Sequence, residues 1–281
     1  MNKGKLGKIT GKTLLGIFVG IAVLVQFYPL FWIFTSSIKT NEEFTMKPAY
    51  TLPDGIYLEH YRKVIFESNI PRYFLNSLIV AFCTLICLVV VGSLSGFALA
   101  KMKFRGRNFV FMFIMAGMMI PLFVGLIPIF QFYNALGLRD TYTSLILPQV
   151  GFGLPVSMFL YMGFMEYIPS EMEESAFLDG ATPWCVFTRI IMPMCVNATI
   201  TVLTFNFITV WNELTFANTF ISEQMMRTIP IGLTDFLSGM GTRDWGMTFA
   251  AIGASILPTL IIYFFLNNKV IDGMAAGAVK G

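Results

Sequence analysis

Charge is scarce in this sequence. Only 12% of its 281 residues are Asp, Glu, Lys or Arg, against about 25% in a typical soluble domain. Histidine occurs once, at His60, which excludes a metal centre built on imidazoles. The four cysteines make no disulfide framework. Cys83 and Cys87 stand one helical turn apart in an apolar run, and Cys185 and Cys195 flank a polar loop. All four read as small buried hydrophobes. A phosphate loop is also missing. Gly7 to Thr13 imitates one, but three residues separate its glycines where the motif needs four, and no strand precedes it. No nucleophile–base pair can be assembled elsewhere. The expectation is a chain with no catalytic residue, no cofactor and no metal, unable to hydrolyse ATP alone.

Apolar residues are plentiful, at 56% of the chain with 15% aromatic. They fall into six charge-free runs: Thr13–Ile38, Tyr73–Ala100, Asn108–Leu138, Thr141–Met165, Ile190–Asn212 and Trp245–Asn268. Each exceeds the roughly 20 residues that cross a bilayer core. The fold class predicted is all-α and integral to a membrane, one domain over residues 1–281. Six transmembrane helices are expected near 14–36, 74–100, 108–132, 143–165, 191–215 and 246–267. The first is read as a retained helix, since its apolar run is too long for a signal peptide and lacks a small-residue cleavage site. A short helix is expected around Leu58–Glu67, within the mixed-charge segment that follows it.

Lys3, Lys5, Lys8 and Lys12 precede the first run, and Lys101, Lys103, Arg105 and Arg107 crowd a loop between two runs, both without an acid. The positive-inside rule places both in the cytoplasm, with N- and C-termini inside. Pro121, Pro128, Pro148, Pro155 and Pro258 fall inside predicted spans and free backbone carbonyls one turn earlier. Gly92-x-x-x-Gly96 permits close approach of another helix.

One acidic stretch interrupts the apolar chain, from Ile168 to Met194. Ser170 and Glu173 fit a capping box, and Pro169 stops the preceding helix. Glu171, Glu173 and Glu174 suit a helix N-terminus. Met172, Ala176, Phe177 and Leu178 supply an apolar side. Gly180 suits a left-handed C-cap, and Thr182-Pro183 reads as a second helix start. On the fifth run, Asn206, Thr209 and Glu213 recur at helical spacing. A carboxylate at bilayer depth is costly, so Glu213 should meet a cavity or an outer surface. The neighbouring polar groups serve either a cavity or interhelical hydrogen bonds.

The acidic stretch resembles the "EAA" loop of ABC-importer permeases. Glu174-Ser175-Ala176, Asp179-Gly180-Ala181 and Ile190-Ile191-Met192-Pro193 match its three parts, with Ser175 and Met192 departing from the usual Ala and Leu. Trp211-Asn212-Glu213-Leu214 resembles a signature of sugar-importer permeases, Leu214 replacing an aromatic. The tail from Gly273 to Gly281 resembles that of the shorter subunit in the maltose-permease group. The resemblance implies a type I permease fold that moves a carbohydrate inward, in a prokaryotic cell membrane. It implies a second, non-identical permease, two cytoplasmic ATPase subunits and an extracellular solute-binding protein as partners. It gives ATPase coupling to Glu171, Met172, Glu174, Ser175, Ala176, Asp179 and Gly180, in a cytoplasmic loop of about 166–190. A substrate path falls to Asn206, Thr209, Asn212 and Glu213. Contact with the binding protein falls to the loop holding Gly239, Gly241 and Trp245. A phosphorylated polyol is an alternative solute. An ion-coupled carrier would need ionisable residues within its spans, and the six runs contain none.

Overall fold

The computed structural model describes residues 3–236 and 244–278, with side-chain surroundings for 12–236 and 244–265. Among the described residues there are helices and no strands. They are α1 Lys3–Ser36, α2 Asn41–Met46, α3 Glu59–Phe66, α4 Ile70–Lys101, α5 Arg107–Ala116, α6 Leu122–Ala135, α7 Tyr142–Glu166, α8 Ser170–Leu178, α9 Pro183–Val186, α10 Met192–Met194, α11 Val196–Trp211, α12 Thr215–Phe220, α13 Ile229–Gly232 and α14 Trp245–Ala278.

Four helical stretches are long and apolar enough to cross a membrane: Lys12–Ser36, Ile70–Lys101, Tyr142–Glu166 and Trp245–Phe265. The other two predicted spans are broken. Arg107–Met119 and Leu122–Ala135 meet at 97°, and Pro183–Met194 and Val196–Trp211 meet at 74°. The expected continuous helices at 108–132 and 191–215 are therefore corrected to bent pairs. The first break has a local cause. Pro121 has no N–H to donate and holds the residue before it out of the α region. Ile120 accordingly sits at φ −79°, ψ 113°, and Pro121 starts α6 as its N-cap. Pro128, Pro148 and Pro155 lie within continuous helices. At the second break a π-helical turn, Phe187–Ile191, precedes Pro193. Cys195, at φ −90° and ψ 17°, leaves the helical register before α11 begins.

The chain forms two compact units. The first comprises Met1–Pro71 and Leu233–Ile256. Within it α2 is capped reciprocally: Glu43 N–H donates to Thr40 Oγ1, and Thr40 N–H donates to Glu43 Oε2 at 2.7 Å. That backbone donor is the main reason the Glu43 carboxyl lies below the usual carboxylate range. The helix expected at Leu58–Glu67 is present as α3. His60 and Lys39 are buried. Lys39 Nζ donates to Ala49 O at 3.1 Å, and His60 Nε2 lies 2.9 Å from Lys39 O.

The second unit comprises Arg72–Gly232 and Leu257–Gly281. Gly92 and Gly96 bring α4 onto α7: a β-carbon at Gly96 would sit 2.8 Å from Tyr161 Cβ and 3.0 Å from Met162 N. Two side-chain bonds join α7 to α11, from Asn206 Nδ2 to Ser157 Oγ at 3.1 Å and from Tyr161 OH to Thr199 Oγ1 at 2.9 Å. Two apolar clusters fill the unit. One gathers Phe97, Met165, Val186, Phe187, Ile191 and Val202 beneath the acidic loop. The other surrounds Trp211, Phe216 and Phe220. All four cysteines are free, and Cys195 alone is fully buried.

Candidate functional site

The acidic loop begins where Pro169, at φ −58° and ψ 135°, ends the connection from α7 and caps α8 without a side-chain bond. The expected Ser170–Glu173 capping box is not formed. Ser170 is already the first helical residue, and Glu173 turns inward. Its Oε1 lies 2.7 Å from Lys101 Nζ, with side-chain exposures of 9% and 7%. The same ammonium donates to Ile168 O at 2.6 Å. Each ion thus offsets the large cost of burying the other, and the end of α4 is joined to the start of α8.

The far end of α8 is a Schellman turn. Ala181 N–H donates to Ala176 O at 2.9 Å, and Gly180 N–H donates to Phe177 O at 3.0 Å. The turn needs a left-handed residue, and Gly180 has φ 84°. Thr182 then caps α9 by accepting from Cys185 N–H, with Pro183 in the first turn, as its sequence predicts.

Burial fixes which residues of α8 face outward. Glu173 and Ala176 face the protein, and Ala176 packs on the cluster below. Met172, Phe177 and Leu178 are exposed at 41%, 45% and 89%. Glu171, Glu174, Ser175, Asp179 and Gly180 are exposed as well. Trp184 on α9 adds a large exposed aromatic that the sequence reading did not single out. The loop therefore presents an apolar knob rimmed by carboxylates. Such a surface is the usual mark of a contact site.

A second candidate site is a cleft of about 170 Å³ lined from α6, α7, α11 and α12. It brings together Asn206, Thr209 and Glu213, three of the four residues proposed for a substrate path. Asn212 is not among its walls; it is exposed, and its Nδ2 donates to Ile208 O. Glu213 lies beyond the end of α11 and is half-buried. Its carboxylate accepts from Phe216 N–H at 2.7 Å and Ala217 N–H at 3.1 Å, capping α12. Trp211 is core, stacked on Phe207 with ring centroids 5.5 Å apart. Gln149, which the sequence reading missed, also lines the cleft. Its only advance signal was an amide inside a charge-free run.

Of the loop assigned to the binding protein, Gly239 and Gly241 lie outside the described residues. Trp245 opens α14, 39% exposed, with its ring 6.2 Å from that of Phe249. Among the described residues no group of His, Cys, Asp and Glu is placed to hold a metal ion.

Four continuous and two bent apolar spans, with a short exposed acidic helix between α7 and the second bent pair, define a multi-pass membrane protein of a particular build. The chain belongs to the family of binding-protein-dependent transport system inner membrane components, whose model matches residues 88–270. A putative ABC transporter permease from Caldicellulosiruptor is 36% identical, over 94% of this chain and 96% of its own. The diacetylchitobiose uptake system permease protein DasC of Streptomyces coelicolor is 30% identical over the whole of both chains. A crystal structure of a bacterial ABC transporter involved in importing the acidic polysaccharide alginate matches with a TM-score of 0.82. It is 22% identical and covers 95% of this chain and 98% of that one. The fold is that of a type I ABC-importer permease, and the chain is a transport subunit rather than an enzyme.

Proposed function

We propose that this chain is one of two permease subunits of an importer that carries a carbohydrate, an oligosaccharide, into a prokaryotic cell. A second, non-identical permease, two cytoplasmic ATPase subunits and an extracellular solute-binding protein complete the assembly. The observation that carries this reading is the α8 knob. It is a short rigid helix, fixed at one end by the buried Lys101–Glu173 pair and at the other by the Gly180 turn, with its apolar side outward. Closure of the ATPase pair displaces the knob, and the spans on either side of the loop carry the movement to the cleft. Glu171, Met172, Glu174, Ser175, Asp179 and Gly180 form this coupling surface, and Ala176 seats the helix from its inner side, within a cytoplasmic loop of about 166–190 of one permease domain. Asn206, Thr209 and Glu213 border the solute path. Trp245, with the Gly239 and Gly241 loop, meets the binding protein. Both termini lie in the cytoplasm, a reading supported by the lysines before α1 and by Lys101 to Arg107.

The relatives include permeases of diacetylchitobiose and of trehalose/maltose systems, which supports a sugar as the cargo. The test is uptake of radiolabelled diacetylchitobiose, trehalose and maltose by proteoliposomes holding the full assembly. At least one sugar should accumulate, and only when ATP, both permeases, the ATPases and the binding protein are present. Glu213→Ala should lower that uptake, because α12 loses its cap beside the cleft. Uptake that persists without the ATPases would contradict the proposal.

A further inference from the structure

We infer that the cleft between α7 and α11 selects uncharged saccharides over acidic ones, with Gln149 as a specificity-determining acceptor for a sugar hydroxyl. This rests on the reading of the chain as a sugar permease and names the substrate class of the same site.

Gln149 is 8% exposed and stands in the wall of the cleft. Its Nε2 donates to Leu145 O at 2.9 Å. A backbone carbonyl can only accept, so the amide nitrogen must face Leu145 and the oxygen is the atom left over. That oxygen is buried and has no hydrogen-bond partner. A buried acceptor without a donor is rare in folded proteins and marks a place where one is to be supplied.

The other polar walls point to the same chemistry. Asn206 Nδ2 is engaged by Ser157 Oγ and Val202 O, and Thr209 Oγ1 donates to Phe205 O. The donors of the cleft are thus satisfied within the protein, while the Gln149 oxygen and the Glu213 carboxylate remain as acceptors. A ligand that fits must bring donors, as a hydroxyl-rich molecule does. A uronate or a phosphorylated polyol brings a charged group made only of acceptors. Among the described residues no lysine or arginine lines the cleft to receive it. The one charge there, Glu213, repels it. Phe152 and Phe205 complete the wall with apolar faces suited to the C–H face of a pyranose ring. The alginate importer with which this chain shares its fold takes an acidic polysaccharide. On this inference the two differ in cargo charge.

The experiment uses the full assembly in proteoliposomes, with diacetylchitobiose, trehalose and maltose as neutral probes and an alginate trisaccharide as the acidic one. Uptake and binding-protein-stimulated ATP hydrolysis are measured together. The unaltered chain should move a neutral probe and leave the acidic one outside. Gln149→Met, close in shape but without the oxygen, should raise KM for the neutral probe about tenfold, the worth of one hydrogen bond. Its co-purification with the partners should be unchanged. A Gln149→Met chain with unaltered KM would overturn the role of Gln149. Uptake of the alginate trisaccharide as fast as a neutral probe would overturn the charge selection, and that comparison needs no variant to assemble. If neither kind of saccharide enters while ATP is hydrolysed, the failure is instead that of the sugar-importer reading.

Discussion

Glu173 shows how one residue's role turns on a partner far along the chain. The spacing Ser170–Glu173 predicts a capping box, and the same spacing recurs at Thr40–Glu43 in the mixed-charge segment, where the sequence reading does not single it out. The structure places the capping box at Thr40–Glu43 and gives Glu173 to Lys101. Local pattern cannot separate the two cases. A cap is worth about 1 kcal/mol, whereas an ammonium left buried without its carboxylate costs about 3–5 kcal/mol, so the ion pair decides. Glu173→Ala should therefore destabilise the purified assembly by about that larger amount, measured by thermal or denaturant unfolding in detergent. The double variant Lys101→Met with Glu173→Leu should recover most of the loss, since two apolar side chains replace a buried pair with little penalty. If the two single losses simply add in the double variant, the pair is not what holds α4 to α8. Gly180 was legible for the opposite reason. Its left-handed turn depends on neighbours within five residues.

Among elements, the apolar runs were legible because bilayer length and burial act on composition alone. α4 and α7 begin and end within four residues of expectation. The bends were legible only in part. Pro121 carries its own steric cause, and a kink near it follows from the sequence, but its size of 97° does not. The 74° break at Cys195 has no local signal beyond Pro193; Phe187 and Ile191 of the π-helical turn before it belong to the buried cluster of Phe97 and Met165, a long-range grouping that local spacing does not reveal. The sequence leaves open which of Met172, Ala176, Phe177 and Leu178 turn outward, because amphipathicity does not say which side of a helix meets its own protein. The Gly92–Gly96 pair does report a contact. Gly96→Ala should cost about 1–3 kcal/mol, since its new carbon meets Tyr161 Cβ and the backbone of α7 rather than a flexible tip. Gly163→Ala on α7, with nothing within 4 Å, serves as the neutral control in the same melts. Equal stability of the two would show that α4 and α7 do not pack as described.

For the whole molecule, orientation and coupling are one question, because the knob must be on the side where ATP is hydrolysed. In a chain freed of its native cysteines, new cysteines at Lys5 and Lys103 should be shielded from an impermeant thiol reagent in intact cells, and one at Tyr50 labelled. Labelling at Lys103 with protection at Tyr50 would place the acidic loop outside and end the account. The more direct measurement is on Gly180. Its φ of 84° costs a residue with a β-carbon about 1–2 kcal/mol, yet nothing within 4 Å would meet that carbon. Gly180→Val should therefore leave the spans inserted and folded while turning α8 away from its cleft on the ATPase. ATPase retained on purified membranes, assayed beside sugar uptake, decides the matter. The account predicts an inserted permease that loses the ATPase, or hydrolyses ATP without transport. An assembly with Gly180→Val that keeps its ATPase and imports sugar at the normal rate would contradict it.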